Sequence, residues 1–160
     1  MLSVVVDSGG DATSGGVYEW DFFVSYTQAD RGWAEWIAWQ LQAAGHRVLV
    51  QAWDMVAGMS WSERMASGMA RSARTVAVLS PAYVTSEACG AEWQAAWRSD
   101  LLGRGRRLLP VRVVDFSPPA PFDGIVWTDL VGADEPEAAS QLVAMVHVAT
   151  SGGRWPVTPR

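Results

Sequence analysis

Lysine is absent from this chain, and all twelve of its basic residues are arginine. That absence removes Schiff-base chemistry, a phosphate-loop lysine and a phospho-receiver lysine together. Cysteine occurs once, as Cys89, which excludes an internal disulfide framework and a cysteine-rich zinc site. The two histidines, His46 and His147, are too few for a histidine metal cluster, so no metal is expected. Long apolar runs are missing as well. Nowhere do ~18 apolar residues follow one another, so no transmembrane helix and no membrane partner are expected. The short run Leu2–Val6 is broken by Asp7 and lacks the basic flank of a signal peptide. A cytoplasmic protein is therefore expected. The formal net charge of −5 argues against a phosphate-binding surface and hence against a direct nucleic-acid partner. Chemistry is left to carboxylates, hydroxyls, arginines and aromatic rings.

What is present suits one folded domain. The 160 residues are 49% hydrophobic and 18% charged, too apolar for a disordered chain. Residues 1–17 read as a flexible leader, dominated by Gly, Ser, Asp and Thr over 8–16, and 151–160 as a tail or linker. The folded unit spans about 18–150. Asp21–Tyr26 is a short apolar run with the character of a buried strand. Asp30 is placed to cap a helix reaching Ala44, with Trp33, Ile37 and Leu41 on one face and Gly45 at its stop. Arg47–Gln51 predicts a second strand, followed by a loop over Ala52–Ser60 and a helix over Trp61–Ser72. Thr75–Ser80 predicts a third strand, ending at Pro81, and a helix follows over Glu87–Asp100. Leu108–Val114 predicts a fourth strand, in which Pro110 points to an edge or a strand start. A fifth strand is expected near Ile125–Thr128. A last helix follows, with Asp134 as cap, Pro136 in its first turn and Leu142, Met145, Val146 and Ala149 buried.

Five apolar strands alternating with helices predict an α/β fold, a doubly wound parallel sheet with helices on both faces and right-handed crossovers. Ligands bind such sheets outside the carboxyl ends of the strands, near the switch in strand order. A dinucleotide-binding turn would need glycines after the first strand. Here that turn is Ser25-Tyr26-Thr27-Gln28-Ala29-Asp30, with none. A flavodoxin-type phosphate loop is not found there either.

Four blocks in order carry a resemblance to the Toll/interleukin-1 receptor (TIR) domain family, over roughly Tyr18 to Thr150. Asp21-Phe22-Phe23-Val24-Ser25-Tyr26 resembles the family's first box, (D)xFxSY, with Asp30 and Trp33 after it. Val48–Gly58 resembles the second strand and BB loop, with Asp54 at the acidic position. Thr75–Ser80 with Pro81-Ala82-Tyr83 resembles the third strand, vLSpxy. Ser86 to Trp93 resembles the SxxCxxE segment that opens the third helix. The Trp-rich first helix and the lack of lysine are similar to the prokaryotic branch. The resemblance implies a flavodoxin-like sheet of order 2-1-3-4-5. Two positions depart from the family pattern: the BB loop has Ala57-Gly58 for the usual Pro-Gly, and Ala88 stands where many catalytic members carry a Trp.

The resemblance also implies an activity. Catalytic TIR domains cleave the nicotinamide–ribose bond of NAD+, giving linear or cyclic ADP-ribose, and their catalytic glutamate corresponds to Glu92. NAD+ is then a substrate, and no separate cofactor is implied. One carboxylate suffices on physical grounds. Ordinary glycosidases need a second carboxyl to protonate the leaving oxygen, but nicotinamide is already cationic and departs neutral. Positive charge grows on the ribose, and a fixed carboxylate stabilises it and orients the attacking water. Without the resemblance, Glu92 reads as a first-turn carboxylate that favours the helix dipole.

Trp53 and Trp61, beside the BB loop, either stack on a ring of the substrate or, for Trp61, pack inward at a helix start. Ser25, Tyr26 and Thr27 either bond ribose and phosphate or do ordinary turn work. Asp54 either positions a ribose hydroxyl or closes an Asx turn. Ser86 reads as a helix N-cap and Cys89 as a small buried residue. The cluster Arg104, Arg106 and Arg107 reads as a solvated loop or a pyrophosphate contact. Trp33, Trp93 and Trp97 read as core, whereas Trp36 and Trp39 leave the apolar face and suggest a surface for self-association.

The resemblance further implies a homo-oligomer through TIR–TIR contacts, with Val56, Ala57 and Gly58 of one BB loop completing the next copy's pocket. It also implies sensor domains in a longer chain and a part in bacterial immunity. Two other readings compete: a non-catalytic TIR–TIR interaction module, favoured by Ala88, and a hydrolase or transferase acting on another N-glycoside.

Overall fold

The computed structural model describes residues 18–50, 67–85, 108–119 and 126–151. Five strands lie in one sheet: β1 (Trp20–Ser25), β2 (Val48–Val50), β3 (Ser72–Leu79), β4 (Leu108–Arg112) and β5 (Thr128–Asp129). Their order is β2-β1-β3-β4-β5 and every pairing is parallel. Among the described residues the α-helices are α1 (Arg31–Ala43), α2 (helical residues 67–71), α3 (Pro81–Val84) and α4 (Glu135–Ser151). This is the flavodoxin-like order, and the strand alternation shows why both faces must be covered.

Phe22, Val24, Val48, Val50, Val76, Val78, Leu109 and Val111 pack on one face, against Ile37 and Leu41 of α1 and Leu142, Met145 and Val146 of α4. The intervening residues point the other way. Phe23 and Leu49 meet Met69 of α2, and Ala77, Leu79 and Leu108 meet Tyr83 of α3. Strands buried on both sides read as continuous apolar runs, as these do. Each fully buried Phe, Leu or Val contributes roughly 1.5–3 kcal/mol relative to exposure. On the α2 side the approach is close. A Cβ on Gly68 would lie 2.6 Å from the Phe23 ring, so only glycine lets α2 settle on β1.

Helix α1 ends as its glycine predicts. Gly45 has φ +94°. Its N–H donates to the Gln42 carbonyl at 2.9 Å, and the His46 N–H donates to Leu41 at 3.1 Å. These are the paired bonds of a Schellman stop, which satisfy carbonyls the helix leaves open. The His46 ring then meets Phe22 edge-on, 5.0 Å between centroids. At the start of α4 the Asp134 carboxylate accepts the Glu137 N–H at 2.9 Å, a side-chain cap with Pro136 in the first turn.

Three expectations need correction. β3 starts at Ser72, not Thr75, because α2 runs straight into it without a loop. β4 is an interior strand despite Pro110. β5 pairs with it only at Val111 and Arg112, so the proline lies beyond the end of that ladder. Trp36 is half-buried rather than on a free surface, because its ring packs edge-on against Trp33, 5.9 Å between centroids. Trp39 is 61% exposed. The expected leader, tail, BB loop and helix over Glu87–Asp100 lie outside the described residues.

Candidate functional site

The switch in strand order falls between β1 and β3. From β1 the chain turns into α1 on one face, and from β3 it turns into α3 on the other. Where two connections part in opposite directions, sheets of this kind as a rule open a crevice for ligands at the carboxyl edge.

Both sides of that crevice are rich in hydroxyls. β1 ends at Ser25, and Tyr26 and Thr27 lead into a tight turn over Gln28–Asp30. β3 ends at Leu79, and the Ser80 Oγ caps α3 by accepting the Tyr83 N–H at 3.2 Å. The Asp30 carboxylate joins the two. Its Oδ2 accepts from Thr27 Oγ1 at 3.3 Å and from Ser80 Oγ across the crevice. Deeper in, Ser25 Oγ and Tyr83 Oη share a hydrogen bond of 2.9 Å. Asp30, Ser25, Ser80 and Tyr83 are all buried. Asp30 therefore departs from the cap role expected of it. It precedes α1 but makes no side-chain cap bond, because its carboxylate is turned toward a serine fifty residues further on.

The same edge carries a second cluster at β4 and β5. Arg112 Nη2 donates to Asp129 Oδ2 at 2.6 Å and its Nε to Oδ1 at 3.3 Å, a forked pair. Nη1 donates to the Phe116 carbonyl at 2.7 Å and reaches Asp115 at 3.4 Å, and the guanidinium lies 5.8 Å from the Trp127 ring centroid. The Asp129 hydrogen bond is the chief reason the Arg112 pKa is raised. Burial would push the Asp129 carboxyl up. The hydrogen bonds from Arg112 and the Val131 N–H, with the guanidinium charge, outweigh it and hold the carboxyl below its usual value. A groove of about 480 Å³ lies elsewhere, between the start of α1 and the start of α4, and is lined by Trp33, Trp36, Asp134 and Glu135 among others.

Of the expected site residues, Ser25, Tyr26 and Thr27 come together at the crevice. Ser25 is fully buried, Tyr26 is buried on the α1 side and Thr27 is half-buried at the rim. Glu92, Trp53, Asp54, Trp61, Val56, Ala57 and Gly58 lie outside the described residues. The sequence alone assigned no role to Ser80 or Tyr83, although both sit in the Thr75–Tyr83 block. Their signal there was a hydroxyl directly after an apolar strand, followed by a proline that starts a helix. Among the described residues no group of His, Cys, Asp and Glu could hold a metal ion, and no helix is long and apolar enough to cross a membrane.

Comparison with known proteins bears on this geometry. The TIR domain of the Toll-related receptor TRR-2 from Hydra magnipapillata is similar, with a TM-score of 0.63 and 20% identity over 78% of this chain and 94% of that one. A metazoan TIR-STING receptor from C. gigas is also similar, with a TM-score of 0.63 and 18% identity over 83% of this chain. The same receptor in complex with 2',3'-cGAMP gives 0.64 and 18% over 81%. This chain spans less than half of the receptor, 42% and 41% in the two structures. No match was found among curated proteins. At these identities the structures speak for the fold alone. The sequence itself matches the TIR domain family over residues 22–143, which takes in most of β1, all of β2 to β5 and about half of α4. On that match, the chain belongs to the TIR domain family.

Proposed function

We propose that this domain is an NAD+ glycohydrolase that works when assembled. The observation that carries the proposal is the cluster of hydroxyls at the switch point, in a TIR chain that has Glu92 at the family's carboxylate position. In the proposed reaction the bond between ribose C1′ and the pyridinium nitrogen breaks, and its electron pair leaves with nicotinamide. Water adds to C1′ and loses one proton, giving ADP-ribose. Where a nucleophile of the substrate's own adenine attacks instead of water, the product is cyclic. Glu92 stabilises the cationic ribose and takes the proton from water. Thr27, directly after the first box and half-buried, is the hydroxyl of the Ser25–Thr27 run best placed to meet a sugar or phosphate. Ser25, fully buried against Tyr83, supports the floor. NAD+ chemistry fits a cytoplasmic domain and a role in bacterial immunity through NAD+ depletion or nucleotide signalling.

The test is nicotinamide release by protein clustered on beads. Wild type is expected to release it, and Glu92→Ala is expected to lose about 100- to 1,000-fold in rate. Unchanged release by Glu92→Ala removes that residue from the mechanism. A second reading, a non-catalytic TIR–TIR interaction module, is favoured by Ala88 in place of tryptophan and by the exposed Trp39. It predicts self-association without release by either protein.

A further inference from the structure

We infer that Asp30 is a positioning residue that fastens the two sides of the switch-point crevice into one rigid rim. The inference rests on the proposed function for its kinetic readout and on the fold alone for its dynamic one. Asp30 Oδ2 takes a hydrogen bond from each side, Thr27 Oγ1 on the β1–α1 turn and Ser80 Oγ on the β3–α3 turn. Ser80 is a relay: its oxygen accepts the Tyr83 N–H while its proton goes to Asp30. The Tyr83 hydroxyl then returns to Ser25 at the end of β1. β1 and β3 are thus tied beyond their backbone ladder by side chains from both connections. The bond from Ser80 is the link between the turns, and the longer one from Thr27, 3.3 Å, braces the carboxylate within its own turn. Buried, it is costly to leave without them.

The placement gives the link a consequence. Thr27 stands on the β1–α1 turn and Ser80 on the β3–α3 turn. A rim held as one body fixes the spacing between the hydroxyl groups of the two turns. Displacements of about 1 Å at such sites cost about 100-fold in rate. Ser80 needs the acceptor oxygen that Asp30 supplies, because at 2% exposure it has almost no access to solvent.

Hydrogen exchange and turnover are measured on wild type, Asp30→Ala, Asp30→Asn and Ser80→Ala, with Leu142→Ala as a control that weakens the α4 packing and lies on neither turn. The reporters are the Asp30 amide, bonded to the Thr27 carbonyl at 2.9 Å, and the Val84 amide, bonded to Ser80 at 3.2 Å. Asp30→Ala is expected to speed exchange at both amides together, about 10-fold or more. Asparagine, which keeps an acceptor oxygen, is expected to restore most of the protection. In turnover, Asp30→Ala is expected to lower kcat about 10- to 100-fold with a smaller change in KM. Leu142→Ala is expected to lower Tm while leaving kcat within a few-fold of wild type. Exchange that rises at only one of the two turns in Asp30→Ala overturns the inference. So does a loss of kcat in Leu142→Ala equal to that in Asp30→Ala. Should wild type release no nicotinamide, the glycohydrolase reading falls, and the paired exchange still decides whether Asp30 couples the turns.

Discussion

Two carboxylates stand at the carboxyl edge of this sheet, and they are held in opposite ways. Asp129 lies at the outer end, 43% exposed in its side chain, gripped by the forked guanidinium of Arg112. Asp30 lies at the switch point, 7% exposed, and the side chains recorded against its carboxylate are the hydroxyls of Thr27 and Ser80. A guanidinium pair neutralises its own charge and ties β4 to β5, with the Phe116 carbonyl and the Trp127 ring beside it. A carboxyl group held by hydroxyls has no charged partner beside it among the described residues and depends on the course of two turns. The first arrangement suits a strut. The second suits a site, where a carboxyl group and its geometry are kept available at some expense in stability.

The comparison breaks most readily at Asp30. Asp30→Ala removes the shared acceptor and leaves the Ser80 hydroxyl buried with a partner lost. It is expected to destabilise the fold by about 2–3 kcal/mol in urea unfolding. Arg112→Ala is expected to cost less, about 1–2 kcal/mol. It strands the Phe116 carbonyl and gives up the contact with Trp127, but Asp129 turns to solvent. If Arg112→Ala proves the more damaging of the two, the contrast between strut and site is wrong. Asp30→Asn sharpens it further. The amide oxygen still accepts from both hydroxyls, so stability is expected to change by less than about 1 kcal/mol. A larger loss by the same urea measurement would mean that the negative charge itself holds the turns.

The sequence made one of these clusters far easier to anticipate than the other, and the fold easier than either. Strand alternation and turn residues are local signals. Gly45 announced a helix stop that the Schellman bonds fulfil, and Asp134 with Pro136 announced the start of α4. Leu142, Met145, Val146 and Ala149 formed a stripe at helical spacing and are buried together. Asp30 carried a local signal too, an acid before a helix, and there the local signal misled. Its partner is remote in sequence, so what decides its role is tertiary. Pro110 misled for a related reason, since a proline is barred only where a neighbour asks for its N–H, and the neighbour's length is not written in the strand. Trp36 fell off the helical stripe, yet the ring of Trp33 covers it. Of the cluster, Ser25, Tyr26 and Thr27 were singled out because they end the first strand at the edge where such sheets hold ligands. Ser80 and Tyr83 escaped because a hydroxyl after a strand has many uses, and only the pairing of β1 with β3 brings these two beside Ser25 and Asp30.

The smallest effect separates the clusters by pH. The folded-state pKa of Asp129 lies below its ordinary value. The folded protein therefore binds a proton there more weakly than the unfolded chain does, and acid favours unfolding. The contribution is complete above the unfolded carboxyl value, near pH 4, and fades as the pH falls from there through the lower folded value. Between about pH 5 and 8 this group adds no slope. With the side chain nearly half exposed, water screens the pair and the total is expected to stay below about 1 kcal/mol. Urea unfolding of wild type and Asp129→Asn, compared at intervals from pH 5 downward, isolates it. The difference in stability between the two proteins is expected to be constant down to about pH 4 and then to shrink. A difference that instead grows on acidification would mean that burial, not the guanidinium, governs this carboxylate, and the outer cluster would lose its standing as the charge-neutralised one.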